Sequence, residues 1–261
     1  MEAFTEAAAN GDIELLQTII DSNADIDAKD DEGDTALMAA ASNDETECVQ
    51  LLIDAKADLE VTDDKDATAL SLAARRGHTA CAQRLVNAKA NLETITKSNG
   101  FTPLLWTVYH GKVDCLQSFV NLRANIEARD NEGLTPIIWA VRTWFPECLQ
   151  VLIDAKAALE AKDNDGNTAL FWAVTYDRTD CVGLLLDSKA DPSVLHRHGV
   201  SALMIAALSG HATEIANLVS SRADLEAKDN DGKTALMWAA AHGTAKCALL
   251  LVEAKADLNT R

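Results

Sequence analysis

One triplet returns along the chain at a fixed interval. Thr/Ser-Ala/Pro-Leu/Ile begins at Thr35, Thr68, Thr102, Thr135, Thr168, Ser201 and Thr234, every 33 residues apart from a single step of 34 after Thr68. Self-similarity at a period of about 20–50 residues argues against one globular core. It means supersecondary units that stack and bury one another's apolar faces. The clearest copy is Asp229–Gly243, DNDGKTALMWAAAHG.

Each part of the unit has a local physical reason. Asp-Asn-Asp-Gly turns the chain, because Asp and Asn side chains bond their own backbone and Gly accepts positive φ. The Thr that follows caps a helix, its hydroxyl accepting an orphan amide of the first turn. Ala-Leu-Met-Trp-Ala-Ala makes a short inner helix, and a Gly or polar residue stops it. A second, outer helix follows, as in Glu47-Cys48-Val49-Gln50-Leu51-Leu52-Ile53, with a broad apolar stripe at helical spacing. Ala-Lys-Ala-Asp-Leu-Glu leads to the next turn. Both helices are too short to persist alone in water, which takes about 12–15 residues.

These motifs (Gly-x-Thr-Ala/Pro-Leu, Ala-Ala, Gly77-His78 and Gly210-His211, the Leu-Leu pair and Ala-Asp) resemble the ankyrin repeat over essentially the whole chain. The resemblance implies an all-α ankyrin-repeat solenoid of helix-turn-helix units with short β-hairpin fingers, inner helices on a concave face and outer helices on a convex one. It also implies a protein-binding module and not an enzyme. The register gives a single domain, 1–261, of about eight units: an N-terminal cap at 1–33, then 34–66, 67–100, 101–133, 134–166, 167–199, 200–232 and 233–261. A one-residue insertion in the finger Thr94–Gly100 accounts for the 34-residue step.

Two departures from the family pattern stand out. Where the family usually has Gly before Ala-Asp, this chain has Lys56, Lys89, Arg123, Lys156, Lys189, Arg222 and Lys255. A left-handed non-glycine residue costs about 1–2 kcal/mol. Seven such penalties are improbable, so the expectation is a loop geometry other than left-handed. Second, Leu250, Leu251 and Val252 give the last unit the apolar character of an internal one, where a terminal cap needs a polar face. Either the chain continues or this end meets a partner.

The net charge of −18 sets the full surface against nucleic-acid phosphate and anionic membranes. No run of about 18 apolar residues and no signal peptide are present, so the expected location is the cytoplasm, with the nucleus as alternative. Cys48, Cys81, Cys115, Cys148, Cys181 and Cys247 all stand thirteen residues after their anchors. Helices stack roughly 8–10 Å apart, too far for a disulfide, which needs Cα atoms within about 7 Å. The cysteines therefore read as small core residues. Asp-Asn-Asp-Gly lacks the first and twelfth ligands of a calcium loop, since those places hold Ala161 and Trp172. His196 and His198 could share a metal or a proton-linked contact in an extended finger, against the plainer reading of a solvated finger. No metal, cofactor or small-molecule substrate is expected.

The candidate binding residues come from a helical wheel. Positions two, five and six after the anchor share one face; four, seven and eight point the other way, into the groove. There stand Arg75 and Arg76, then Trp106, Tyr109 and His110, then Trp139 and Arg142, then Trp172 and Tyr176, with Trp144 just beyond. Trp, Tyr and Arg dominate binding hot spots. The alternative for the three Trp is a spacer role between inner helices. Arginines in so acidic a chain predict an acidic protein partner with aromatic or apolar anchors. Two other readings stand beside this one: a structural subunit docking through its uncapped C-terminal end, and a consensus or engineered scaffold, which the likeness of 163–173 to 229–239 admits.

Overall fold

The computed structural model describes residues 2–259; Met1, Thr260 and Arg261, the outermost residues of the first and last repeats, lie outside the described residues. The described residues form sixteen α-helices, and the chain divides after Asn131 into two compact units. In the first unit the helix pairs are α1 (Glu2–Ala9) and α2 (Ile13–Asp21), α3 (Ala36–Ser42) and α4 (Thr46–Asp54), α5 (Ala69–Arg76) and α6 (Thr79–Asn87), and α7 (Pro103–Tyr109) and α8 (Val113–Asn121). In the second they are α9 (Pro136–Arg142) and α10 (Pro146–Asp154), α11 (Ala169–Thr175) and α12 (Thr179–Asp187), α13 (Ala202–Ser209) and α14 (Ala212–Ser220), and α15 (Ala235–His242) and α16 (Ala245–Glu253). Within each unit, inner helices stack on inner helices, outer on outer, and each inner helix packs against its own outer partner. Among the described residues no helix is long and apolar enough to cross a membrane.

The anchors do what their chemistry requires. Thr35, Thr68, Thr102, Thr168, Ser201 and Thr234 precede inner helices in extended backbone, and each side chain accepts the amide three residues on. Thr135 holds the same place without that bond, before a helix opened by Pro136. Leu37, Leu70, Leu104, Ile137, Leu170 and Leu203 are all buried between the stacked helices, each stabilising its junction by about 1.5–3 kcal/mol. The six cysteines are buried free thiols on the outer helices. Burial pushes Cys81 and Cys148 up to about 12 and Cys115 and Cys181 up to about 11, so these thiols stay protonated and pack as apolar groups.

The fingers are turns and not β-hairpins: among the described residues there is no strand. Two backbone bonds close the turn at Asp163, from Asp163 N–H to Asn167 O and from Gly166 N–H to Asp163 O, both at 3.0 Å. Two further amides go to the leading aspartate, whose Oδ1 accepts the N–H groups of Asp165 and Asn167 at 2.9 and 2.8 Å. Side-chain acceptors thus take the bonds a second ladder rung would have used. At Gly100, φ is +77°, and a Cβ there would lie 2.6 Å from Asn131 Oδ1.

The expectation for the basic loop residues is overturned. Lys56, Lys89, Arg123, Lys156, Lys189, Arg222 and Lys255 are all left-handed, with φ from +64° to +80°. Each closes an outer helix. Lys156 N–H donates to Ile153 O at 2.9 Å and Ala157 N–H to Leu152 O at 3.0 Å, the paired bonds of a Schellman turn. Two satisfied carbonyls, a buried Ala157 and a cation at the negative helix end together offset the left-handed penalty.

Candidate functional site

The first unit gathers an aromatic cluster at the end of its last inner helix. Trp106 and His110 stack at 5.7 Å, Tyr109 meets both edge-on, and Phe101 from the finger meets Trp106 at 4.8 Å. The Arg75 guanidinium, one helix away on α5, lies 5.6 Å from the Trp106 ring. Burial, with Arg75 and Lys112 nearby, pushes the His110 imidazole below its usual pKa and favours its neutral form. Its Nε2 is buried without a hydrogen-bond partner. Arg76 is exposed and stands apart, without ring contact or ion pair among the described residues. Beside the cluster a cavity of about 540 Å³ opens between finger and inner helices, lined among others by Asp64, Ser71, Leu72, Arg75, Lys97 and Trp106.

The second unit carries a longer stack. Arg142 lies between two indoles, 5.0 Å from Trp139 and 4.9 Å from Trp172, and Trp172 stacks on Tyr176 at 5.3 Å. Arg142 also pairs with Glu132 at 3.3 Å, so its charge is already compensated inside the unit. Trp172 donates its indole N–H to Asp163 Oδ2 at 2.8 Å. Burial would raise the Asp163 carboxyl, but hydrogen bonds from Asn167, Trp172 and Asp165 outweigh it and hold the group below its ordinary value. The half-buried Trp106, Trp139 and Trp172 therefore serve packing on one side while keeping part of a ring accessible.

Trp144 is placed differently. It follows α9 at a left-handed position, φ +61°, where the other repeats have Gly11, Asp44, Gly77, Gly111, Asp177, Gly210 and Gly243. It is 54% exposed, and the Arg178 guanidinium covers its ring at 4.4 Å. Arg178 and Trp238 escaped the sequence reading. Trp238 repeats the Trp172 arrangement, donating to Asp229 Oδ2 at 2.9 Å, and was legible from its place four residues after Thr234. Arg178 was legible only as a replacement for the histidine of Gly-His in the repeat after Trp144.

Two of the six histidines bridge repeats. His78 Nε2 lies 3.1 Å from Ser42 O and His211 Nδ1 lies 3.0 Å from Val174 O. His196 and His198 come within 5.1 Å, ring to ring, but His196 Nδ1 accepts the His198 amide and is not free for a metal. Among the described residues no three His, Cys, Asp or Glu side chains gather as metal ligands.

A family model for ankyrin repeats, in three copies, matches residues 4–96, 55–130, 78–163, 104–196 and 185–261. No curated protein matches the chain.

Proposed function

The chain belongs to the ankyrin-repeat family, and from that premise we propose that it is a cytoplasmic adaptor, recruitment or inhibitory scaffold which binds an acidic protein segment through the exposed ends of its inner helices. Ankyrin repeats serve in general as protein-interaction modules, and this reading adds where and what. The observation that carries it is the first-unit cluster: an unpaired Arg75, an exposed Tyr109 and a half-buried Trp106 beside a cavity of about 540 Å³. A ring there can receive an apolar anchor while Arg75 and Arg76 meet carboxylates. The partner is read as protein, since phosphate-rich nucleic acid meets a net charge of −18. Nothing in this arrangement asks for a cofactor, and the role assigned is binding and not catalysis.

The test is peptide display against the intact chain and an Arg75→Glu, Arg76→Glu, Tyr109→Ser variant. All three side chains are exposed; Arg142, locked between indoles and Glu132, is left alone. Acidic peptides with apolar anchors should be enriched by the chain and lost with the variant. Unchanged enrichment sinks the proposal. A second reading, docking of a structural subunit through the last helix pair, draws on Leu249 and Leu258, exposed by 58% and 67%. Concentration-dependent self-association in sedimentation, abolished by Leu249→Glu, would support it; a monomer at all concentrations would reject it.

A further inference from the structure

We propose that Arg178 and Trp144, both in the second unit, form a receptor for a single carboxylate on a partner peptide, with an apolar or aromatic neighbour of that carboxylate lying against the indole. This rests on the protein-binding reading above but uses neither Arg75 nor the first-unit cavity.

Arg178 is the residue before α12 and is half-buried. Its side chain makes no hydrogen bond or ion pair among the described residues, and its Nε is buried without a partner. Two other arginines of this unit are answered, Arg142 by Glu132 and Arg197 by Asp165 at 2.9 Å. The neighbouring Asp177 is turned to His211, 3.8 Å from its Nδ1. What Arg178 has instead is aromatic cover, Trp144 at 4.4 Å and Tyr176 at 6.0 Å. Ring faces attract a cation, but they supply no lone pairs for the planar N–H fork. A guanidinium held in place with its fork unfilled suits a bidentate carboxylate.

Trp144 points the same way. Its left-handed backbone is closed by Trp144 N–H to Val141 O at 3.1 Å and Phe145 N–H to Ala140 O at 2.9 Å. Five of the seven equivalent positions hold Gly and two hold Asp. A bulky residue there is strained, and strain that packing does not require gathers at functional sites. The indole is more than half exposed, so the core does not require it. Charge decides the anion. Asp180 and Glu147 lie near the start of α12, both bearing on Cys181. The second charge of a phosphate would meet those carboxylates, whereas a carboxylate brings only one.

The probe is N-acetyl-phenylalanine, with N-acetyl-phenylalaninamide as the neutral control, titrated into the labelled chain while the Trp144 indole N–H and Arg178 Nε–H resonances are followed. Both should shift saturably with the acid, with affinity about tenfold lower for the amide, and the acid response should vanish in Arg178→Gln. Trp144→Gly should keep the melting temperature, because Gly suits the left-handed site, yet weaken the acid severalfold. No saturable shift by about 20 mM, where a site of Kd near 1 mM is filled, overturns the proposal. So do equal responses to acid and amide, an unaltered response in Arg178→Gln, or shifts confined to Arg75 and Trp106. Loss of display binding in the first-unit variant bears on the earlier proposal alone, so the two fail separately.

Discussion

Lys156 and Trp144 share a left-handed backbone and close the same pair of turn bonds. Lys156 recurs in kind at six other helix ends as a cation at the negative helix end, whereas Trp144 occurs once and presents its ring to solvent. The lysine site is therefore open to improvement. Lys156→Gly relieves about 1–2 kcal/mol of backbone strain and returns about 0.5–1 kcal/mol in unfolded-state entropy. A net gain of roughly 0.5–1 kcal/mol is expected, read as a higher urea midpoint at unchanged slope. Asp163 works at the other extreme, its carboxylate accepting two backbone amides, the Asn167 amide and the Trp172 indole. Its folded pKa is depressed, so its stabilisation is present above the unfolded value of about 3.9 and fades as pH falls through the folded one. Asp163→Ala should cost about 2–3 kcal/mol at pH 7, and the gap to the parent should narrow below about pH 4 in parallel urea titrations.

At the scale of the element, one recurring carboxylate adds a hydrogen bond to the apolar packing of the junction between repeats. In five loops the closing acidic residue accepts the backbone amide of the Ala-Asp position one repeat on: Asp58 N–H to Asp27, Asn91 to Glu60, Asn125 to Glu93, Asp191 to Glu160 and Asp257 to Glu226, at 2.7 to 2.9 Å. Glu160→Ala should cost about 1 kcal/mol by thermal or urea unfolding, whereas Glu160→Gln, which keeps an acceptor at Oε1, should cost less than half of that. A full loss in the Gln variant would assign the effect to charge and not to the bond. The rung also shows what a sequence can carry. Helix pairs, Thr caps and buried cysteines were legible because each follows from spacing within a repeat. The rung joins residues 31 or 32 apart, so nothing local marks its glutamate as an acceptor. The left-handed lysines were misread because a penalty was counted without the Schellman bonds opposing it. Hairpin fingers are what the resemblance implies, and the Asx bonds that replace a ladder depend on rotamers that spacing does not show. Arg178 was missed because its meaning lies in Trp144, on a different helix pair.

Over the whole molecule, 41 acidic residues face 23 basic ones, and much of the acid is spent on backbone amides that bring no positive charge. The finger aspartates and loop glutamates need their negative charge to accept those amides strongly. Ion pairs such as Arg142–Glu132, Arg197–Asp165 and Lys97–Asp66 each cancel one charge of either sign and leave the net −18 as it stands. That excess is self-repulsion that opposes the compact state. Salt should act on it directly. The screening length falls from about 30 Å at 0.01 M to about 8 Å at 0.15 M, which removes repulsion between distant carboxylates and leaves hydrogen bonds at about 3 Å almost untouched. Raising sodium chloride across that range should raise the melting temperature by a few degrees, since about 1 kcal/mol moves a chain of this size by about 2–4 °C. Scanning calorimetry at both salt concentrations decides it. A melting temperature that falls instead would mean that ion pairs such as Arg142–Glu132 outweigh the net charge, and that the acidic surface is not a load on the fold.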